Sequence, residues 1–73
     1  MKELLQSKAF YMYHSCTCGG EYNEGWRNDN IQGIEIKLIP GRDSFQIKQY
    51  GNVIDKGNSS SFNSALEKIN EIA

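Results

Sequence analysis

The only histidine and both cysteines of this chain lie within a short polar stretch that runs from His14 to Gly20. Imidazole nitrogen and thiolate sulfur are ligands of structural zinc sites, and a thiolate beside an imidazole is also the pair that a cysteine nucleophile needs. His14, Cys16 and Cys18 are therefore candidate metal ligands. A tetrahedral site would require one more ligand, which Glu21, another carboxylate, water or a second chain would have to supply.

Three interpretations of this cluster stay open. If residues 14–18 form an extended strand, at about 3.3 Å per residue, the Cα atoms of His14 and Cys18 lie about 13 Å apart and the two side chains cannot bind one ion. A zinc site therefore requires the strand to end by Cys16, so that the glycines that follow turn both cysteines towards one ion. A disulfide between Cys16 and Cys18 is the second interpretation, and extended Cα atoms about 6.6 Å apart would strain it. Two reduced thiols are the third, and they are what we expect of a chain without an export signal.

The same cluster is a poor candidate for catalysis. Neighbouring positions of one segment rarely give a thiol and an imidazole the geometry of a nucleophile–base pair with a third orienting group. So small a domain also has little room for a buried substrate pocket. We therefore predict that the protein is not an enzyme and needs no cofactor, with zinc as the alternative.

Length and composition predict a single small domain over residues 1–73. Hydrophobic residues make up 38% and charged residues 23% of the chain, which is typical of a globular domain and not of a disordered one. A net charge of −1 gives no overall field that would attract nucleic acid or an anionic membrane. No apolar run approaches the roughly 18 residues of a membrane span, and residues 1–8 lack the apolar stretch of a signal peptide. We therefore expect a cytoplasmic protein that does not contact membranes.

The N-terminal part of the chain predicts a short helical turn and then a strand. Residues 2–6 can form one helical turn that directs Leu4 and Leu5 inward. Residues 9–18 favour a strand because they are rich in aromatic side chains, although a single helix through this segment is the alternative. Alternation would place five side chains on one face of that strand: Phe10, Met12, His14, Cys16 and Cys18. Residues 19–30 are polar and rich in glycine and asparagine, which predicts a long loop.

Two turns predict an antiparallel meander in the second half of the chain. Pro40-Gly41 fits the centre of a type II turn, and Gly51-Asn52 fits a two-residue primed hairpin turn. The first turn would form three cross-strand pairs: Leu38 with Phe45, Ile36 with Ile47, and Ile34 with Gln49. The second turn would form three more: Tyr50 with Val53, Gln49 with Ile54, and Lys48 with Asp55.

This register predicts two sheet faces of different character. The apolar face would carry Ile34, Ile36, Leu38, Phe45, Ile47 and Ile54. The opposite face would carry Glu35, Lys48 and Asp55 in one row across three strands. Charges of alternating sign attract each other across a sheet, so this row would leave little positive potential on that face.

A C-terminal helix completes the predicted fold. Apolar residues recur there at helical spacing: Phe62, Ala65, Leu66, Ile69 and Ile72. Ser64 and Glu67 match a capping box, although Ser60 or Ser61 could cap an earlier start. The sequence therefore predicts an α+β domain: an antiparallel three- to four-stranded β-meander with a C-terminal α-helix packed on one face and a short N-terminal helical turn.

From Ile34 onward, the order of three strands and a helix resembles the plant AP2-type and recombinase arm-binding domains. The similar stretch runs from Gly57 through residues 62–67, and the resemblance covers roughly half of the chain. It implies a nucleic-acid-binding domain whose exposed sheet face enters a DNA groove. Those families carry Arg, Lys and Trp on that face, whereas the face predicted here is nearly neutral, with Glu35, Lys37, Gln46, Lys48 and Asp55.

Three residues in the predicted loop point to a protein partner. Tyr22, Trp26 and Arg27 are of the types that contribute most to protein–protein binding, although Trp26 could instead fold back onto the end of a thin core. The sequence therefore predicts a small cytoplasmic protein-interaction module without catalytic activity, and it leaves the oligomeric state open. Two alternatives are a nucleic-acid-binding accessory domain and a small zinc-stabilised domain that uses the cluster at residues 14–18.

Overall fold

The computed structural model describes residues 1–72, with the side chains of Cys18 and of residues 70–72 outside the description. Within this range, two helices and five strands follow one another, with a short 3₁₀ turn after the third strand: α1 Lys2–Ser7, β1 Tyr11–Cys18, β2 Glu21–Arg27, β3 Ile34–Ile39, the turn Pro40–Arg42, β4 Ser44–Gln49, β5 Asn52–Asn58 and α2 Ser59–Ile72. Neighbouring strands pair antiparallel in the order β1-β2-β3-β4-β5. The predicted α+β class is confirmed, but the sheet has five strands rather than three or four.

The additional strand, β2, occupies much of the segment that we expected to be a long loop. Tyr22, Glu24 and Trp26 alternate onto one face of it, and Trp26 lies opposite Ile36 of β3 in the core. The polar sequence does not predict this strand, because Glu24 and Gly25 are both residue types that are uncommon in strands. Burial of the Trp26 ring, which is only 1% exposed, supplies the apolar contact that the polar residues lack. The loop prediction is wrong for this segment.

The hairpin of β3 and β4 has the predicted register. Leu38 lies opposite Phe45 and Ile36 lies opposite Ile47, and all four side chains are buried. The connection is a 3₁₀ turn at Pro40–Arg42 instead of the predicted type II turn. The fixed φ of proline suits the first position of a helical turn equally well, so the proline alone does not decide between them.

The hairpin of β4 and β5 differs from the prediction by one residue at its turn. The turn is Tyr50-Gly51, with φ angles of 52° and 84°, and positive φ at both positions is what a primed turn requires. Gln49 therefore pairs with Asn52, and after an irregularity Ile47 pairs with Asp55. Gly51-Asn52 and Tyr50-Gly51 share a glycine, and the sequence does not show which pair forms the turn.

Two predicted positions are wrong as a result. Ile54, which we expected in the core, is 47% exposed. Asp55 lies on the same side of the sheet as Ile47, so the predicted row of three charges is reduced to the pair of Glu35 and Lys48.

Both helices pack on the same face of the sheet, and the core lies between that face and the helices. α2 contacts β5 and β4, and the rings of Phe62 and Phe45 meet edge to face with centroids 5.0 Å apart. The predicted helical stripe is confirmed for four buried residues, Phe62, Ala65, Leu66 and Ile69, whereas Ile72 lies outside the described side chains. α1 is the predicted N-terminal helical turn, and its Leu5 is fully buried.

The residue before α2 caps the helix. The backbone N–H of Ser60 donates to the side-chain oxygen of Asn58 at 3.0 Å, which satisfies one of the free N–H groups of the first turn. The expected capping box of Ser64 and Glu67 therefore lies inside the helix. No helix in the described part of the chain is long and apolar enough to cross a membrane.

A bulge in β1 breaks the predicted side-chain alternation. Met12 lies opposite Trp26 and His14 lies opposite Gly25, so Tyr13 is an extra residue in the ladder. Met12 therefore shares the core side of the sheet with Trp26, whereas His14 and Cys16 lie on the other side. The single face predicted for residues 10–18 is wrong beyond the bulge.

Candidate functional site

The sheet face opposite the two helices is uncovered, and we call it the open face. Directly paired residues of antiparallel strands share a face, so the pairing of the strands assigns its side chains. They include Tyr11, His14, Arg27, Glu35, Lys37, Gln46, Lys48, Val53 and Lys56, together with Tyr13 from the β1 bulge. The open face therefore carries two tyrosines, a histidine and four cationic side chains among its residues.

Tyr13 and Arg27 form a stacked pair at the β1–β2 side of the open face. The Arg27 guanidinium carbon lies 3.9 Å from the centre of the Tyr13 ring, which is a cation–π contact. Gly25 makes room for the ring, because a Cβ atom at this position would lie 2.9 Å from it. The His14 ring is tilted beside Tyr13, with centroids 6.2 Å apart. The bulge, the glycine and the arginine together hold the Tyr13 ring against the sheet.

Tyr11 also lies at the β1–β2 side of the open face. Its hydroxyl group donates a hydrogen bond to a carboxylate oxygen of Asp29 at 3.0 Å, which holds the side chain in place. This hydrogen bond raises the pKa of Tyr11 above its ordinary value of 10.0; desolvation and the Asp29 charge add to the effect, and Arg27 opposes it. Tyr11 is 44% exposed and Tyr13 is 38% exposed. The two rings therefore form an aromatic surface whose position is fixed before any partner binds.

Charge is divided unevenly between the two faces of the sheet. The cations of the open face are Arg27, Lys37, Lys48 and Lys56. Its acids are Glu35, which lies between Arg27 and Lys48, Glu21, which forms an ion pair with Arg42, and Asp29 at its edge, which accepts the Tyr11 hydrogen bond. Asp55 and Glu24 lie on the helix side. A protein with a net charge of −1 thus presents one positive face.

The three predicted partner-binding residues do not form one surface. Tyr22 and Trp26 lie on the helix side of the sheet and Arg27 lies on the open face, because side chains alternate along a strand. Trp26 is a core residue, as the alternative interpretation expected. Tyr22 is 43% exposed and Arg27 is also exposed. A partner-binding role for Tyr22 and Arg27 stays a prediction.

Tyr22 and Trp26 converge on Glu24, a residue that the sequence analysis does not identify. The Tyr22 hydroxyl donates to one carboxylate oxygen of Glu24 at 2.8 Å, and the Trp26 indole N–H donates to the other at 3.3 Å. The hydrogen bond to Glu24 raises the pKa of Tyr22 above its ordinary 10.0; desolvation and the Glu24 charge add to this, and Ser15 opposes it. Glu24 is only 5% exposed. The alternation of these three residues is the signal for this group, and it has meaning only once β2 is known to be a strand.

His14 and Cys16 lie on the open face in the regular part of β1. Cys16 is disulfide-bonded, which differs from the expected free thiol and removes the thiolate form that binds zinc. The other cysteine of the chain, Cys18, has its side chain outside the description. Among the residues that the structure describes, no group of three His, Cys, Asp or Glu side chains could hold a metal ion. The zinc-stabilised domain stays a prediction.

No protein-family model, curated protein or solved structure is detectably similar to this chain. The resemblance to AP2-type and arm-binding domains is therefore one of topology, and β1 and β2 add two strands to the three that carry it. What the chain binds must be inferred from its own surface.

Proposed function

We propose that this chain is a small, non-catalytic protein-interaction module that binds an acidic segment of a partner protein through the open face. The observation that carries the proposal is the stack of Tyr13 and Arg27 beside Tyr11, on a sheet face that neither α1 nor α2 covers. A cytoplasmic location stays a prediction.

The residue types on the open face, and their fixed positions, support protein binding. Tyrosine and arginine are enriched at the centres of protein interfaces. The Arg27 contact and the Asp29 hydrogen bond hold Tyr13 and Tyr11 in place, so less side-chain entropy is lost when a complex forms. Because the Arg27 guanidinium already stacks on the Tyr13 ring, this ring is less suited to stacking with a nucleic-acid base.

Charge identifies the chemistry of the partner. The row that crosses the open face from His14 through Gly25, Lys37 and Gln46 to Lys56 contains no acid. An acidic segment that lies across the sheet would meet these lysines along its length. Complementary charge of this kind raises the association rate and discriminates against wrong partners.

The experiment compares two charge reversals that change the net charge equally: Arg27→Glu on the open face and Lys68→Glu on the exposed side of α2. Immobilised protein captures partners from a nuclease-treated extract of its source cells, and calorimetry then measures the affinity of the purified captured protein. We expect Arg27→Glu to weaken binding at least tenfold, which is about 1.4 kcal/mol, and Lys68→Glu to leave it unchanged. Equal affinities for both variants would overturn the proposal.

Nucleic-acid binding is a second candidate, and the position of Asp55 favours it. The predicted charge row places Asp55 beside Lys48, but this carboxylate lies on the helix side, so the lysines of the open face keep more of their positive potential. If this candidate holds, affinity for a labelled single-stranded oligonucleotide falls with log salt at a slope of about −0.7 per neutralised phosphate. Lys37→Glu would then weaken binding more than Arg27→Ala. Undetectable or salt-insensitive binding would exclude this candidate.

A further inference from the structure

We infer that the cavity beside Glu24 binds an organic ammonium group carried on a short apolar stem, either a free small amine or a lysine side chain of another protein. The cavity lies on the helix side of the sheet, opposite the open face. The inference is therefore independent of the proposed function, and either one can fail without the other.

The cavity lies between α1, β2, β3 and the turn that follows β3, and its volume is about 370 Å³. Small-molecule sites typically measure about 300–1,000 Å³, so the space is sufficient for a short ligand. Its walls include the aromatic and apolar side chains of Tyr22, Leu38 and Pro40. Lys2 and Glu3 also line it, but both are exposed and their charges have opposite signs. Met1 lines it too, and its N-terminal ammonium group forms an ion pair with Glu3 at 3.9 Å. Glu24 is therefore the buried acid of this lining.

Glu24 has acceptor capacity left and no cation of its own. A carboxylate can accept about four hydrogen bonds, and Glu24 receives one from the Tyr22 hydroxyl and one from the Trp26 indole. Both donors are neutral. Within the described part of the chain, no lysine, arginine or histidine forms an ion pair with Glu24, and the N-terminal ammonium group pairs with Glu3 instead. A buried carboxylate is costly unless an opposite charge compensates it, and a bound ammonium group would do so.

The groups around the cavity favour an ammonium group over a metal ion. Hard metal ions require several oxygen ligands, and the interior offers a single buried carboxylate. An alkylammonium ion needs an acceptor for its N–H groups, an aromatic ring near its charge and an apolar wall for its stem. Glu24, Tyr22 and Leu38 supply these three features in turn.

The indole N–H of Trp26 gives a direct readout of binding, because Trp26 is the only tryptophan in the chain and its N–H donates to Glu24. The ¹⁵N-labelled protein is titrated with n-butylammonium chloride while ¹H–¹⁵N spectra are recorded, with n-butanol and sodium chloride as matched controls. We expect a saturable shift of the indole signal with the amine and none with either control. An indole signal that the amine leaves unmoved would overturn the inference.

Two variants test whether Glu24 is the binding group. Glu24→Gln removes the charge but can keep both hydrogen bonds, through its amide oxygen and a reoriented Tyr22 hydroxyl. We expect it to bind n-butylammonium at least about tenfold more weakly, whereas Glu67→Gln on the exposed side of α2 binds like the wild type. Unchanged binding by Glu24→Gln would contradict the inference.

A variant that preserves the charge covers the case in which Glu24→Gln does not fold. Tyr22→Phe keeps the aromatic wall and removes one donor that competes for the Glu24 carboxylate. Retained or tighter amine binding supports the inference, and loss of binding by folded Tyr22→Phe overturns it.

A second pair of ligands distinguishes the two sources of the ammonium group. Nα-acetyl-lysine methylamide presents a lysine side chain on a peptide backbone, and Nα-acetyl-norleucine methylamide is its uncharged counterpart. Tighter binding of the lysine compound than of n-butylammonium supports a lysine of a partner protein, and weaker binding supports a free small amine. Equal binding of the norleucine and lysine compounds would show that charge is not recognised and would overturn the inference.

Discussion

Gly25 is the residue on which the geometry of the open face depends most closely. A Cβ atom added there would lie 2.9 Å from the far end of the Tyr13 side chain, which can move. We therefore predict that Gly25→Ala displaces the ring from its Arg27 contact and weakens partner binding about threefold or more, at a cost of about 0.5–1 kcal/mol. The free energy of unfolding in urea should change by less than about 1 kcal/mol. Unchanged binding would show that the stacked pair lies outside the interface.

Tyr22 predicts a pH dependence of stability. Its pKa in the folded protein lies above 10.0 because its hydroxyl donates to Glu24, so the unfolded chain loses this proton first as the pH rises. The stabilisation is therefore complete below about pH 10 and is lost as the pH rises through the folded pKa. Tyr11 shifts in the same direction. Urea unfolding between about pH 9 and pH 11 should show a shallower loss for Tyr22→Phe than for the wild type, and identical slopes would contradict this.

For single residues, the sequence identifies candidate functional groups by their residue type. It does not identify a residue whose role depends on which side chains surround it in the fold. His14 and Cys16 can be identified as reactive groups without a structure. Glu24 cannot, because its environment depends on Tyr22 and Trp26 lying on the same face of one strand. Arg27 can be identified by its type as a candidate for partner binding, but its stacking partner depends on the β1 bulge, which nothing in the sequence predicts.

At the scale of elements, the register of β5 gives the clearest prediction. Ile47 is fully buried under α2, whereas Ile54, its expected companion, is 47% exposed. We predict that Ile47→Ala costs roughly 2–5 kcal/mol of unfolding free energy and that Ile54→Ala costs less than about 1 kcal/mol. Chemical denaturation of both variants measures the difference. Similar losses would mean that the sequence-based register is right and the observed one is wrong.

The elements that the sequence predicts are those with an uninterrupted apolar pattern. The aliphatic alternation of β3 and β4 and the helical stripe of α2 are clear, because each buried position carries an apolar residue. β2 lacks such a pattern. A core-side position holds Glu24, which accepts hydrogen bonds from Tyr22 and Trp26 of the same strand, and an open-face position holds Gly25, which makes room for Tyr13 of β1. The position of the β4–β5 turn is predicted wrongly for a different reason. Two overlapping dipeptides both suit a primed turn.

Over the whole molecule, the sheet separates two surfaces of different character. One surface is the open face with its tyrosines and cations, and the other is the cavity beside Glu24. We predict that Arg27→Glu impairs partner binding without changing the shift of the Trp26 indole signal that n-butylammonium causes. Glu24→Gln should reduce this shift and leave partner binding unchanged. If either variant, while folded, lost both activities, the two surfaces would have to act as one site.

The most direct test of the open face as the binding surface is to map, on the ¹⁵N-labelled protein, the residues that the captured partner contacts. Amide signals are recorded with and without the unlabelled partner at saturation. We predict that the signals that move belong to β1 and β2, around Tyr13 and Arg27, and that those of α2 stay in place. Shifts centred on α2, with β1 and β2 unmoved, would contradict the proposed function.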